Sequence, residues 1–159
     1  MPPEIQTERL ILNQFTWQDL NAVTNIISHP TFQDACFGCE LPATQYQLAR
    51  WLQSSLPTDH CRFALRVRQN HQLHGMIAIQ HQQLSYWLAA TSWQQGLMKE
   101  GLTAVLNKWF YLRQNQEIYA EVDSRNVASM GLLKSLGYSS QGELIQRFVI
   151  TKAPVNRGL

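Results

Sequence analysis

The chain has 159 residues and a formal net charge of +2, which is the size of one domain with room for a sizeable core. Charged residues make up only 15%, with glutamine scattered through much of the difference, and so mild a balance points to neither nucleic acid nor an anionic membrane as partner. No apolar run approaches the roughly 20 residues that cross a bilayer. The opening "MPPEIQTERL" lacks the charged-then-apolar order of a secretory leader, so a cytoplasmic protein is expected.

The first element is a strand, "ERLILNQF" (8–15), with Leu10 and Leu12 on one face and Ile11 on the other. Thr16, with Asp19 three residues on, has the spacing of a capping box. Leu20, Val23, Ile26 and Ile27 follow at helical spacing. A second helix starts at Thr44, with Gln47 three residues on and Leu48, Trp51 and Leu52 behind it. Between the two, "SHPTFQDACFGCELP" reads as a loop punctuated by Pro30, Gly38 and Pro42.

"CRFALRVRQ" (61–69) alternates cleanly. Cys61, Phe63, Leu65 and Val67 face one way, and Arg62, Ala64, Arg66 and Arg68 the other. The basic stripe is most simply a solvated sheet face; a covering helix or an acidic partner would also account for it. "LHGMIAIQ" (73–80) and "QLSYWLA" (83–89) complete an antiparallel meander. From Gly96 to about Leu112, Met98, Leu102, Val105, Leu106 and Trp109 define a helix with one buried face. "EIYAEVD" (117–123) is a strand. "NVASMGLLKSLG" (126–137) is a helix with Asn126 at its N-cap and Gly137 at its stop. "YSSQGELIQRFVITK" is mostly strand, followed by a tail. The order β, α, α, β, β, β, α, β, α, β describes one α+β domain with a mixed sheet.

Three cysteines, Cys36, Cys39 and Cys61, are an odd count and read as free thiols. Cys36 and Cys39 form a C-x-x-C, but a zinc site needs two further ligands at matching spacing, and the sequence has no second pair.

Three segments carry a specific resemblance: the opening "TERLILNQFTWQDL", the strand "SYWLA" running into "TSWQQGLMKEGLTAVLNKWF", and "IYAEVDSRNVASMGLLKSLGY". Together, from about Thr7 to Phe148, they resemble the GNAT superfamily of acetyltransferases. The nearest branch is that of the ribosomal-protein N-terminal acetyltransferases, RimJ/RimL-like. The second motif runs Asn126, Ser129, Lys134, Gly137, Tyr138. The resemblance implies a mostly antiparallel central sheet flanked by about four helices. The chain departs from it at the end: family members carry a further strand after the one that begins at "GY", whereas here only "ITKAPVNRGL" remains, interrupted by Pro154, so the last strand is expected to be short or absent. An uncovered edge beside it would invite a homodimer.

The resemblance also implies acetyl-CoA as cosubstrate, held in a splay between the "SYWLA" and "IYAEV" strands. The pantetheine would pair with backbone groups of Tyr86, Trp87 and Leu88, and the pyrophosphate would sit on the loop of Gln94, Gln95, Gly96, Leu97 and Met98. Asn126, Ser129 and Lys134 would complete the coenzyme site. A helix start has unpaired N–H groups and a partial positive charge, so the loop suits phosphate on physical grounds as well. Lys99 or Arg125 would add a cation. The loop departs from the family pattern at two places. Trp93 stands where a basic or amide residue leads, and Met98 where a small residue closes, so Met98 either crowds the phosphates or turns into the core.

The chemistry needs an amine that loses a proton and a thiolate that leaves. Ser129 is the candidate donor to the leaving sulfur, against its plain reading as an N3 residue of the helix. Glu121, beside Asp123, is the candidate general base, against its reading as a solvated carboxylate. His74 and His81 are relay candidates, and Tyr119 and Tyr138 read as packing residues. An α-amine, with a reference pKa near 7.7–8.0, needs less help than a lysine near 10.4, so a sparsely equipped site suits an N-terminal amine. The acceptor-side loop holds only Asp34 and Glu40 as carboxylates, which argues against a polycation. The readings are therefore an N-acetyltransferase of a primary amine such as a protein N-terminus, an acetyltransferase of a small-molecule amine, and a non-catalytic acyl-CoA-binding or protein-interaction domain.

Overall fold

A computed structural model of the chain describes residues 4–35, 44–54, 60–113, 117–141, 145–151 and 154. Eight strands form one sheet: β1 (Ile5–Gln6), β2 (Leu10–Asn13), β3 (Cys61–Val67), β4 (Leu73–Gln80), β5 (Gln83–Leu88), β6 (Ile118–Asp123), β7 (Ser139–Gln141) and β8 (Ile145–Ile150). Their order is β1-β2-β3-β4-β5-β6-β8-β7. Each pairing is antiparallel except β5 with β6, which run parallel. The helices are α1 (Leu20–Ser28), α2 (Pro30–Ala35), α3 (Gln45–Gln53), α4 (Leu97–Leu112) and α5 (Val127–Ser135). Among the described residues, no helix is long and apolar enough to cross a membrane.

The alternation read from β3 divides the molecule into two layers. Phe63 and Leu65 join Leu10, Leu12, Ile77 and Ile79 beneath α4 and α5. Ala64 joins Met76, Ala78 and Trp87 beneath α1, α2 and α3. The stripe of α4 sits on the first core: Leu102 and Leu106 have no exposure at all. Gly101 lies on that stripe because α4 runs close to the sheet. A Cβ there would come within 3.0 Å of Ile77 and 3.1 Å of Leu65.

Local signals explain most boundaries. The Thr16 N–H donates to the Asp19 carboxylate at 2.8 Å, and the Thr44 hydroxyl accepts from the Gln47 N–H at 3.1 Å. Asn126 caps α5 by accepting from the Ser129 N–H at 3.1 Å. Gly137, at φ +94°, ends it. His81 and Gln82 both adopt positive φ and close the β4–β5 hairpin in two residues.

Three expectations are corrected. Pro30–Ala35 is a helix, where proline and the following loop residues suggested a connection. Pro30 stands at the first helical position, where its missing N–H is harmless. The basic stripe is covered at Arg62 and Arg66, while Arg68 is exposed as expected. Arg62 is buried under α3, donating to the Trp51 carbonyl at 2.5 Å and stacking over the Trp51 ring. Arg66 pairs with buried Asp19 at 2.8 Å. Finally, the stretch after Tyr138 is two strands. β7 is short, but β8 follows with six residues and lies along the whole of β6, so the edge that would have invited a second chain is occupied. Cys36, Cys39 and Glu40 lie outside the described residues, as does the side chain of Asp34.

Candidate active site

β5 and β6 are paired only at their start. Gln83 stands opposite Tyr119, and the Tyr119 N–H donates to the Gln82 carbonyl at 3.0 Å. Beyond that point the strands diverge, and a cavity of about 980 Å³ opens between them. The parity of the ladder decides which β5 backbone groups face this gap. In the two-residue hairpin, Gln83 pairs with Gln80, Ser85 with Ala78 and Trp87 with Met76, so the odd-numbered residues spend their backbone groups on β4. Tyr86 and Leu88 therefore point theirs into the splay, and Trp87 does not. The Leu88 carbonyl already accepts from the Trp93 indole N–H at 2.8 Å. Trp87 instead sends its ring to the other layer, edge-on to Phe32.

The N-terminus of α4 opens onto the same cavity. Gln94 (φ +60°) and Gly96 (φ +74°) are both left-handed, and this turns the chain sharply into the helix. Gly96 is the N-cap and has no side chain to cap with; the first helical bond runs from the Glu100 N–H to its carbonyl at 3.1 Å. The N–H groups of Leu97, Met98 and Lys99 are thus left for an anion or water. Gln94, Gly96, Leu97, Met98 and Lys99 line the cavity, whereas Gln95 does not. Met98 is buried in the core beneath α4, so its side chain leaves the loop open.

A brace that the sequence did not reveal holds this loop. Buried Glu100 accepts from the Thr7 hydroxyl at 2.6 Å, the Arg9 N–H at 2.8 Å and the Arg9 Nε at 2.7 Å. The Arg9 Nη1 then donates to the Gln95 carbonyl at 2.8 Å. Burial alone would raise the Glu100 pKa, but the bonds from Thr7 and Arg9 outweigh it and hold the carboxyl below its ordinary value. The one available signal was an acid in the first turn of a helix.

The second motif supplies the floor of the cavity. Asn126, Ser129 and Leu132 line it from α5, and Glu121 and Asp123 from β6. Ser129 is an N3 residue, as its plain reading has it, and its hydroxyl also meets the Tyr86 hydroxyl in a short hydrogen bond. Burial pushes the Tyr86 phenol up to about 12, even with Ser129 beside it. Glu121 is exposed at the rim. Asp123 is engaged by Arg125 at 2.9 Å and held down at about 2, so Arg125 is drawn to it. Lys134 is exposed in the last turn of α5 and does not line the cavity. His74 does not itself line the cavity, but its Nδ1 meets the hydroxyl of buried Ser92, which does, and burial lowers its pKa. His81 stacks edge-on with His60. Tyr138 is buried packing, as expected.

The other wall is mostly apolar: Val23, Ile27, Phe32, Leu48 and Trp51 come from α1, α2 and α3, with Arg62 of β3 beside Trp51 as its one charge among the described residues.

A family model, the acetyltransferase (GNAT) domain, matches residues 9–139. The chain belongs to the GNAT acetyltransferase family. The expected fold and enzyme class, an acyltransferase, therefore hold. No curated protein matches in sequence. Among solved structures, a GNAT-family acetyltransferase from Bacillus anthracis is similar over 94% of this chain and 98% of its own, at 16% identity and a TM-score of 0.78. An acetyltransferase from Salmonella typhimurium, described as modifying the N-terminal serine of ribosomal protein L7/L12, matches over 94% and 99%, at 13% identity and 0.77. A spermidine N-acetyltransferase chimera from Vibrio cholerae and hSSAT matches over 91% and 96%, at 16% identity and 0.77. This GNAT domain shares its fold with all three.

Proposed function

We propose that this acetyltransferase moves the acetyl group of acetyl-CoA onto a primary amine, with a protein N-terminal amine as acceptor. The observation that carries the reading is the convergence, in one cavity, of an uncapped helix N-terminus, an unpaired strand edge and the Asn126–Ser129 turn. The residues fit the coenzyme. The amides of Leu97, Met98 and Lys99 would hold the pyrophosphate, with the Lys99 ammonium near the same end. The backbone of Tyr86 would pair with the pantetheine as a neighbouring strand would. The Ser129 hydroxyl would donate a hydrogen bond where negative charge builds on the sulfur. Acetyl-CoA supplies an activated thioester. Glu121, exposed at the rim and without a partner among the described residues, would draw a proton from the incoming ammonium, directly or through water.

The burial of Met98 removes one ground for a non-catalytic reading, because the loop departure that it represents is absorbed by the core. The mostly apolar wall from α1, α2 and α3, whose charge is the Arg62 guanidinium, favours a peptide N-terminus with an uncharged first side chain over a polyamine. Calorimetric titration with acetyl-CoA, followed by assay of coenzyme release with peptides and with spermidine, tests this. Binding and release with peptides are expected. A chain that binds no acetyl-CoA overturns the reading, and release with spermidine alone moves the acceptor to the small amines. Ser129→Ala is expected to lower kcat by about 10²-fold, the scale of one lost donor to developing charge.

A further inference from the structure

Tyr86 does more in this site than offer its backbone. Its side chain packs under α4 and α5, and its hydroxyl has one hydrogen-bond partner among the described residues, Ser129 Oγ. Tyr138, the other phenol of this core, has no hydrogen-bond partner among the described residues. Each hydroxyl carries a single hydrogen, and one of the two is spent on the bond between them. The phenol is the more acidic hydroxyl and hence the better donor, and the serine oxygen the better acceptor. With Tyr86 donating to Ser129 Oγ, the serine hydrogen is free to turn into the cavity that both residues line.

We propose that Tyr86 is a positioning residue that fixes Ser129 as a hydrogen-bond donor aimed at the sulfur of a thioester in the splay. The inference rests on the acetyl-transfer reading given above. In that reaction the amine nitrogen bonds to the acetyl carbon as the carbon–sulfur bond breaks. The sulfur leaves with the electron pair, and the proton given up by the amine balances the thiol that is finally released. A serine whose oxygen already accepts a bond presents its own hydrogen in one direction and with greater polarity. Burial keeps the Tyr86 phenol in its protonated, donating form throughout the neutral range.

The test uses the full chain and its Tyr86→Phe, Ser129→Ala and doubly substituted variants. Phenylalanine keeps the ring, so the fold is expected to stand, and a thermal melt checks it. The deciding readout is the titration of the coenzyme A thiol bound to each variant, followed by thiolate absorbance in the ultraviolet. Bound to the unaltered chain, the thiol is expected to titrate lower than in solution. Tyr86→Phe should return the midpoint most of the way to the Ser129→Ala value, and should add nothing in the Ser129→Ala background. In turnover, Tyr86→Phe should lower kcat about tenfold with the KM for acetyl-CoA unchanged. An unmoved thiol titration overturns the proposal, as does an equal shift with and without Ser129, because a residue that only packs would act independently of it. Coenzyme binding without transfer to any amine sinks the function proposed above, while the thiol titration still decides the role of Tyr86. Failure to bind coenzyme overturns both.

Discussion

Replacing Glu100 with glutamine tests whether the brace beneath α4 is a structural device. The carboxylate receives three donors, the Thr7 hydroxyl and two groups of Arg9, and its side chain is only 6% exposed. A hydrogen bond to a charged group contributes about 1.5–3 kcal/mol, and a neutral one about 0.5–1.5. Glutamine keeps one acceptor oxygen for Thr7 and the Arg9 N–H, so each of those bonds weakens by about 1 kcal/mol. Its amide nitrogen then faces the Arg9 Nε, donor to donor; Arg9 is 45% exposed, so water recovers most of that loss. The expected destabilisation is about 2–3 kcal/mol, which for a chain of this size lowers Tm by roughly 5–10 °C. Urea unfolding at pH 7 measures it. The pH dependence gives an independent check. The folded pKa of Glu100 lies below its unfolded value, so its contribution is present above the unfolded pKa and is lost as pH falls through the folded one. The difference between the two proteins should therefore shrink below about pH 4. A loss under about 0.5 kcal/mol at neutral pH, the range of ordinary surface changes, would refute the reasoning.

Much of the fold was legible because it rests on short-range patterns. Strict alternation placed β3, and an i, i+4, i+7 stripe placed α4. Caps at Thr44 and Asn126 set helix starts that the structure reproduces within a residue. What escaped depends on partners far apart in sequence. Thr7 and Arg9 meet Glu100 across more than ninety residues, and nothing local in "TERL" announces it. Arg66 meets Asp19 across 47 residues, so a stripe that reads as solvated is partly covered. The site followed the same division. Position along the chain located the splay and the α4 turn, but ladder parity, which turns the backbone of Trp87 away, needed the register of the hairpin. The pairing of Tyr86 with Ser129 required two elements to be folded together.

Four further outcomes are expected. Gly75→Ala should destabilise strongly or abolish soluble expression, because its Cβ would lie 2.5 Å from the Trp87 carbonyl oxygen, a backbone atom with little freedom to move; chemical denaturation reads this out. Asp19→Asn should cost about 2–3 kcal/mol at pH 7 by leaving half-buried Arg66 beside a neutral group, with Asn13 and the Gln14 carbonyl as its remaining partners. Because the folded Asp19 pKa is lowered, that difference should fade as pH drops through it, which urea unfolding across pH 3–7 measures. Cys61, whose buried thiol is pushed up to about 11, should resist labelling at pH 8 in the native chain and react readily in urea, as peptide mapping would show. Lys134→Ala, remote from the cavity, should leave acetyl-CoA affinity within about twofold by calorimetry, and a tenfold loss would return it to the coenzyme site.

The α4 turn raises the question of how a loop with one glycine can serve an anion. Free side-chain charge is not what the geometry offers there: among the described residues Lys99 lines the cavity beside the turn, and the Arg9 guanidinium behind it is engaged by Glu100 and the Gln95 carbonyl. The turn offers three backbone amides whose partners are missing, and it keeps them missing by geometry. Gly96 reaches φ +74° at no steric penalty and brings no capping oxygen. A serine or aspartate at that N-cap would satisfy those amides from within and would also strain at positive φ. Around this one glycine, larger residues are tolerated because each is directed elsewhere. Trp93 is tied to the Leu88 carbonyl, the Gln95 carbonyl is tied to Arg9, and Met98 is packed into the core. The substitutions that weaken the sequence motif thus fasten the loop from behind while its amide face stays open. Gly96→Asp, which inverts both properties, should weaken acetyl-CoA binding more than Met98→Leu, which preserves the packing.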